Sequence, residues 1–294
     1  MKNKLKSFLI GSVKLTNSVI LPLKKRTDLK LIITKIDNGY NSDYFNIKEK
    51  YKNLEVLETN NINSSLVIKK LKKLKLDIGF CVGWNQIIDD KVFSIPERGI
   101  IGHHPSLLPY NRGKHPIIWA FFLGLKETGS TFFKIKKGID NGEIVNQKKI
   151  SIVKNKDVGS LYKKIEKVTK EQINEIITCI ETNSMKFKSQ KISKGNYWRK
   201  RNDFDSKIDF RMNSATVERL VKALTHPYIG AHVLINNKKY HIFKCRVLKG
   251  PNKLNNIEPG KVLKQTNRYL TVKTYDGIIK LFVKNINYKI KYIK

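Results

Sequence analysis

Side chains that could move protons are concentrated in the middle of the sequence. Three of the six histidines, His103, His104 and His115, lie in one segment, and Asp140 follows in a loop flanked by glycines. A carboxylate beside an imidazole favours the protonated ring and fixes its tautomer, as general acid–base chemistry at neutral pH requires. The spacing leaves two interpretations open: a proton-transferring pair, or two packed core histidines with Asp140 capping a turn.

A parallel sheet is the element that would position these residues. Apolar runs predict strands at Ser7–Ile10, Leu29–Thr34 and Leu76–Val82, with an amphipathic helix over Ser65–Lys75 before the third strand. This alternation is typical of an α/β fold with a Rossmann-like sheet, although no full G-x-G-x-x-G motif follows the first strand.

Two more predicted strands, Gly99–His103 and Gly129–Ile135, flank a predicted helix over Pro116–Leu125. The carboxyl ends of strands in an open α/β sheet meet at the ligand crevice. We therefore expect His104, at the end of one strand, and Asp140, after the other, to touch across neighbouring loops.

The second half of the chain changes from helical to β patterning. A long helix is predicted with Asp157 or Ser160 as its N-terminal cap, and a short one covers Ser214–Thr225. Short strands then suggest a small OB-like β-barrel. They are predicted at His232–Ile235, Tyr240–Leu248, Gly260–Leu263, Tyr269–Thr274 and Gly277–Val283. We expect one domain over residues 1–185, a polar, basic linker over 186–213, and a helix-plus-barrel domain over 214–294.

Composition narrows the class of protein. The 294 residues carry a formal net charge of +35, which leaves open a dedicated nucleic-acid surface or a general compositional bias toward lysine, asparagine and isoleucine. Three distant cysteines predict neither a disulfide framework nor a metal site. No apolar run approaches the ~20 residues of a membrane span, so we expect a cytoplasmic protein with no membrane partner.

Several ordered motifs in the central segment resemble one family. They are His104-Pro105-Ser106-Leu107-Leu108-Pro109, Arg112-Gly113, Pro116, Trp119, Glu127-Thr128-Gly129-Ser130-Thr131 and Gly138-Ile139-Asp140-Asn141-Gly142-Glu143-Ile144. Together they resemble the signature of formyltransferases that use 10-formyltetrahydrofolate. Asp209-Phe210, Leu220–Ala223 and Pro227–Ala231 are similar to the junction with that family's carboxy-terminal barrel. The resemblance implies a Rossmann-like formyltransferase domain followed by the OB-like barrel.

The resemblance also implies a catalytic group. In this family an Asn-x-His motif and a later Asp act together, and His104 and Asp140 match the last two positions. Gly102 stands where the family has asparagine, the amide that steadies the oxyanion. Three explanations stay open: a donor from His103, Asn85 or Asn111, a backbone N–H at Gly102, or a slow or inactive enzyme.

The implied reaction is an acyl transfer without a covalent enzyme intermediate. A neutral amine attacks the formyl carbon, His104 handles the proton, and Asp140 orients His104. The resemblance places the pterin ring of 10-formyltetrahydrofolate, a co-substrate, against two groups of residues, with no metal involved. These are Gln86, Ile87 and Ile88, and the loop of Lys136, Lys137, Gly138, Ile139 and Asp140, with the basic Lys114 nearby. Ordinary loop packing is the alternative for each of them.

Two branches of the family fit the layout, and they differ in the acceptor amine. Methionyl-tRNA formyltransferases usually carry a basic insertion after the second strand, whereas Ile36–Asn46 contains no Lys or Arg and gains nothing from phosphate contacts. This favours a nucleotide-linked amino sugar as acceptor, with tRNA as the alternative. A degenerate, non-catalytic RNA-binding homologue also stays open, as does a homodimer.

Overall fold

The computed structural model describes residues 4–37, 39, 42–153, 156–249, 254, 256–283, 286 and 288–293. Residues 38, 40 and 41 of the segment Ile36–Asn46 lie outside this description. The chain divides into two compact units. The first comprises Met1–Pro116, Glu127–Ser151 and Lys163–Arg199, and the second comprises Ile117–Lys126, Ile152–Tyr162 and Lys200–Lys294. The limits 1–185, 186–213 and 214–294 stay a prediction.

The first unit is built on a seven-stranded sheet. Its strands are β1 (Lys6–Ile10), β2 (Asp28–Thr34), β3 (Val56–Glu58), β4 (Ile78–Cys81), β5 (Ile100–His104), β7 (Glu127–Lys134) and β8 (Ile144–Ser151), in the order β3-β2-β1-β4-β5-β7-β8. The first five are parallel, while β7 and β8 are antiparallel to their neighbours. This order, reversing beside β1, confirms the Rossmann-like fold predicted from the sequence.

The helices follow from apolar periodicity and local caps. They are α1 (Lys14–Arg26), α2 (Ile47–Lys50), α3 (Ser65–Lys73), α4 (Asp90–Phe93), α5 (Pro116–Phe122), α6 (Val158–Glu181) and α7 (Ser214–Leu224), with 3₁₀ turns at Ile192–Lys194 and Phe204–Ser206. Ser64 caps α3 and Asn213 caps α7 by accepting a backbone N–H. For α6, Asp157 accepts the N–H of Ser160, one of the two expected caps. Helix α5 ends before Gly124, whose φ of +70° is left-handed.

The core of the first unit lies against the buried strands. Phe8, Leu31, Val67, Leu71 and Ile100 belong to one cluster, each at most 1% exposed. Strands that are apolar along their whole length, such as Ile78–Cys81, are buried on both faces, as parallel sheets are. The loops that follow their carboxyl ends are therefore held on a rigid support.

The second unit carries antiparallel strands. A hairpin pairs β10 (Ala231–Ile235) with β11 (Lys238–Ile242) through Asn236 and Asn237, both at positive φ. A four-stranded sheet has the order β12-β15-β14-β13. Its strands are β12 (Cys245–Leu248), β13 (Val262–Gln265), β14 (Tyr269–Lys273) and β15 (Ile278–Phe282). The described strands form these two sheets, and a closed OB-like barrel stays a prediction.

One strand prediction in this unit is wrong. The expected single strand Tyr240–Leu248 is two strands, β11 and β12, because the chain changes sheets between them: β11 pairs with β10, whereas β12 pairs with β15. The segment contains no glycine, proline or asparagine that would indicate a turn, so its sequence does not show such a change of partner.

No helix within the described ranges is long and apolar enough to cross a bilayer.

Candidate functional site

The structure brings His104 and Asp140 together. His104 is the last residue of β5, and Asp140 lies in the loop between β7 and β8. The His104 Nδ1 atom is 3.5 Å from the Asp140 Oδ2 atom, and the two side chains are 7% and 21% exposed. A carboxylate and an imidazole at this distance, largely shielded from water, can share a proton or stabilise a charged ring.

A backbone carbonyl fixes the tautomer of His104. Its Nε2 atom lies 2.8 Å from the carbonyl oxygen of Asn111. Because a carbonyl only accepts, Nε2 must carry the hydrogen, and the neutral ring then presents a free lone pair at Nδ1. The atom that faces Asp140 is therefore the one that can take up a proton.

The loop that supplies this carbonyl is braced by a later segment. The short strand β6 (Arg112–Gly113) pairs with β9 (Tyr197–Trp198), and the Asn111 N–H donates to the side-chain oxygen of Asn196 at 2.7 Å. At Gly113, with φ +97°, an added Cβ would lie 2.5 Å from the Trp198 carbonyl oxygen. Only glycine fits this approach. The Gly113 N–H also donates to Asp140 Oδ2 at 3.0 Å.

The Asp140 loop is held by amide side chains. Gln190 Nε2 donates to the Asp140 carbonyl at 3.0 Å and to the Gly142 carbonyl at 2.5 Å. Asn141 donates to the Lys137 carbonyl at 3.1 Å, and Gly138 has φ +109°. These hydrogen bonds hold the backbone of the loop that places the Asp140 carboxylate beside His104 Nδ1. The sequence does not indicate this role for Gln190, because the residue lies in the segment 186–213 that is predicted to be a linker.

His103 faces away from the pair. Successive strand residues point to opposite faces of a sheet. His103 Nε2 is 2.7 Å from Ser130 Oγ, and its ring centroid is 4.8 Å from that of Phe132. Burial, with a smaller effect of His104, lowers the pKa of His103 to about 3, so the ring is neutral at physiological pH. Of the three side chains that could supply the oxyanion donor, His103 lies on the face of the sheet opposite His104. Which group supplies the donor stays a prediction.

Gly102 shares a face with His104, and the space beside it is occupied. It lies opposite Phe133 in the β5–β7 ladder. A Cβ at residue 102 would lie 2.9 Å from Ile135 Cγ1 and 3.2 Å from Phe133 Cζ. The side chains of Ile135 and Phe133 therefore fill the space where an asparagine side chain would begin.

Asn85 is tied to two lysines at the same edge of the sheet. Its Oδ1 accepts a hydrogen bond from Lys35 Nζ, and its backbone carbonyl accepts one from Lys114 Nζ at 2.7 Å. Lys35 directly follows β2 and lies with its Nζ 5.1 Å from the centre of the Trp84 ring. The sequence singled out Asn85 and Lys114 but not Lys35. The position of Lys35 directly after the predicted strand Leu29–Thr34 is the feature of the sequence that could have indicated it.

The expected pterin contacts differ in their accessibility. Gln86 is engaged at both ends of its amide, by the Ile62 N–H and the Asn60 carbonyl. Ile87 is 63% exposed, whereas Ile88 is buried. In the second loop Ile139 is 42% exposed, and Lys136, Lys137 and Gly138 are exposed as well. Ile87 and Ile139 therefore present apolar surface, while Gln86 holds its loop through these two hydrogen bonds. Their contact with a pterin ring stays a prediction.

The described residues contain no group of three or more metal-binding side chains. The chemistry that this arrangement supports is proton transfer between a fixed imidazole, a carboxylate and a substrate.

Comparison with known families decides the classification. The formyl transferase model matches residues 23–177, and the model of the formyl transferase C-terminal domain matches residues 201–289. The chain belongs to the formyltransferase family. The resemblance seen in the central motifs is thereby confirmed, and the second match covers most of the antiparallel unit.

Individual relatives extend this result. The formyltransferase is 32% identical over 236 residues to the bifunctional polymyxin resistance protein ArnA of Wigglesworthia glossinidia brevipalpis, an alignment covering 78% of this chain and 36% of that protein. The chain thus spans about a third of the length of this relative.

Solved structures share the fold. The N-formyltransferase from Helicobacter canadensis, in complex with folinic acid and dTDP-3-aminofucose, superposes with a TM-score of 0.67 at 20% identity over 96% of this chain and 100% of that one. HypX from Aquifex aeolicus, in complex with tetrahydrofolic acid, superposes with a TM-score of 0.68 at 17% identity, covering 95% of this chain and 44% of that one.

Proposed function

We propose that the protein is an N-formyltransferase that moves a formyl group from 10-formyltetrahydrofolate to the primary amine of a nucleotide-linked amino sugar. The observation that carries this proposal is the 3.5 Å approach of His104 Nδ1 to Asp140 Oδ2, with Nε2 held by the Asn111 carbonyl. Family membership supplies the reaction type.

The folate co-substrate supplies an activated formyl carbon, and the residues of this chain handle the proton. When the primary amine attacks, a bond forms between its nitrogen and the formyl carbon, and the bond from that carbon to the folate nitrogen breaks. His104, which presents a basic lone pair at Nδ1, takes the proton that the amine loses, and the departing folate nitrogen gains a proton in its place. Asp140 stabilises the imidazolium that forms, since its carboxylate faces the same nitrogen. The exposed Ile87 and Ile139 are suited to holding a flat pterin ring.

The choice of an amino-sugar nucleotide rests on two observations. Ile36–Asn46 lacks the lysines and arginines that a tRNA-binding insertion would use. The Helicobacter canadensis neighbour is bound to dTDP-3-aminofucose. The net charge of +35 is the one observation that favours a tRNA acceptor instead.

The test is a direct transfer assay. Purified protein is offered 10-formyltetrahydrofolate with a panel of amino-sugar nucleotides or with charged initiator tRNA, and tetrahydrofolate release is followed. We expect turnover with at least one sugar nucleotide and none with tRNA. If only tRNA supports turnover, the acceptor is tRNA and not a sugar nucleotide. RNA retention without any folate turnover would instead support the non-catalytic alternative.

A further inference from the structure

Two lysines that have no carboxylate partner among the described residues lie at the edge of the sheet that carries the His104–Asp140 pair. We propose that Lys35 and Lys114, joined through Asn85, form a seat for an anionic group of a substrate, a phosphate or a carboxylate. We call these three residues the lysine seat. The proposal rests on the proposed function, because it adds a binding determinant to the same site.

The contacts hold the two ammonium groups beside one residue. Lys35 donates to the side-chain oxygen of Asn85, and Lys114 donates to its backbone carbonyl at 2.7 Å. Both acceptors are neutral. Within the part of the chain that the structure describes, neither lysine has a carboxylate within ion-pair distance, although acidic partners are found for other lysines such as Lys48 and Lys148.

The two ammonium groups are electrostatically unfavourable in this arrangement when no anion is bound. Both lysines are half-buried, and like charges placed close together repel each other. Burial and the charge of Lys114 lower the pKa of Lys35, which shows that its charged form is disfavoured as it stands. A bound anion would reverse both effects, since it offsets the repulsion and replaces lost water contacts.

The seat lies at the same edge of the sheet as the proton-transfer pair. Lys35 follows the carboxyl end of β2, and Asn85 follows that of β4. Lys114 is the next residue after Gly113, whose N–H binds the Asp140 carboxylate. An anion on the seat therefore lies along the strand ends that carry the proton-transfer pair. Such an anion has two sources in the proposed reaction: the diphosphate of the sugar nucleotide, or the glutamate carboxylates of the folate.

The test compares a double variant with a matched control. K35Q/K114Q removes two positive charges from the seat, and K24Q/K25Q removes two from exposed positions on α1. Binding of inorganic pyrophosphate and of 5-formyltetrahydrofolate is measured by calorimetry on both variants and the wild type. The seat predicts that at least one of these ligands binds about tenfold or more weakly to K35Q/K114Q, with the control unchanged.

Steady-state kinetics assign the source of the anion. A rise of about tenfold in KM for the sugar nucleotide, with kcat altered less than about twofold, identifies the diphosphate, whereas the same rise in KM for 10-formyltetrahydrofolate identifies the carboxylates. Equal binding of both calorimetric ligands by the wild type and K35Q/K114Q would overturn the proposal. Calorimetry needs no turnover, so a protein that fails to transfer formyl groups still tests the seat.

Discussion

Filling the space beside Gly102 tests the description of the site most directly. The family position is asparagine, but here Ile135 and Phe133 pack against the glycine. A Cβ at this position would lie 2.9 and 3.1 Å from two carbons of Ile135 and 3.2 Å from Phe133 Cζ. The first of these distances is shorter than carbon–carbon contacts allow, so Gly102→Ala forces Ile135 to move.

The expected cost follows from that displacement. Overpacking by a single methyl group costs about 1–3 kcal/mol of unfolding free energy. Because Ile135 is half-buried and can shift partly toward solvent, we place Gly102→Ala at the lower end, about 1–2 kcal/mol. Ile135→Ala removes both carbons that the new methyl group meets, so the two substitutions together should be less destabilising than their sum by about 1 kcal/mol.

The measurement is a double-mutant cycle by urea unfolding at neutral pH, followed by formyl-transfer rates. In the Ile135→Ala background, Gly102→Asn has room for its amide, and we expect a faster rate than Gly102→Asn alone. Wild-type stability of Gly102→Ala, or strict additivity of the two substitutions, would refute the packing described for residue 102.

The remaining predictions concern the pair and its supports. His104→Ala and Asp140→Asn should each lower the formyl-transfer rate by about a hundredfold or more while leaving circular dichroism unchanged, and wild-type turnover in either would remove the mechanism. His103 has a folded pKa of about 3, below its ordinary 6.5, so the unfolded chain alone binds this proton as the pH falls through that interval. Between pH 6.5 and 3 this one group should therefore cost about 1.4 kcal/mol of stability per pH unit, with no effect above that range. Denaturant titrations at pH 7.5 and 5 should show a smaller difference for His103→Gln than for wild type. Gly113→Ala should destabilise the protein by about 1–3 kcal/mol and lower the formyl-transfer rate, because φ is +97° and the new Cβ would collide with the Trp198 carbonyl oxygen. Gly39→Ala is the control: its φ is +69° but no atom of the described residues lies within 4 Å of the new Cβ, so only the backbone strain applies.

Much of the fold and the central pair can be predicted from the sequence. The strands that end in Ile10 and Thr34 are apolar runs that the sequence predicts, and the strand predicted over Gly99–His103 is found at Ile100–His104. Their alternation with helices predicts the α/β fold. The meeting of His104 with Asp140 follows from the rule that strand ends share one edge.

Other features escape the sequence because they depend on partners far along the chain. His103 and His104 point to opposite faces because side chains alternate along β5. The hypothesis that His103 supplies the oxyanion donor does not take this alternation into account. Nothing near Asn111 indicates that residue 196 will hold it. The closeness of Lys35 to Lys114 depends equally on a third residue, Asn85, that binds both.

The pairing of β6 with β9 affects where the polypeptide can be shortened. Cutting after residue 185, at the end of the predicted first domain, would keep every strand of the large sheet yet discard Gln190, Asn196 and Trp198. Such a fragment would retain the imidazole and the carboxylate but lose the scaffolding that aligns them. An excised version meant for enzymology should therefore extend at least through residue 199.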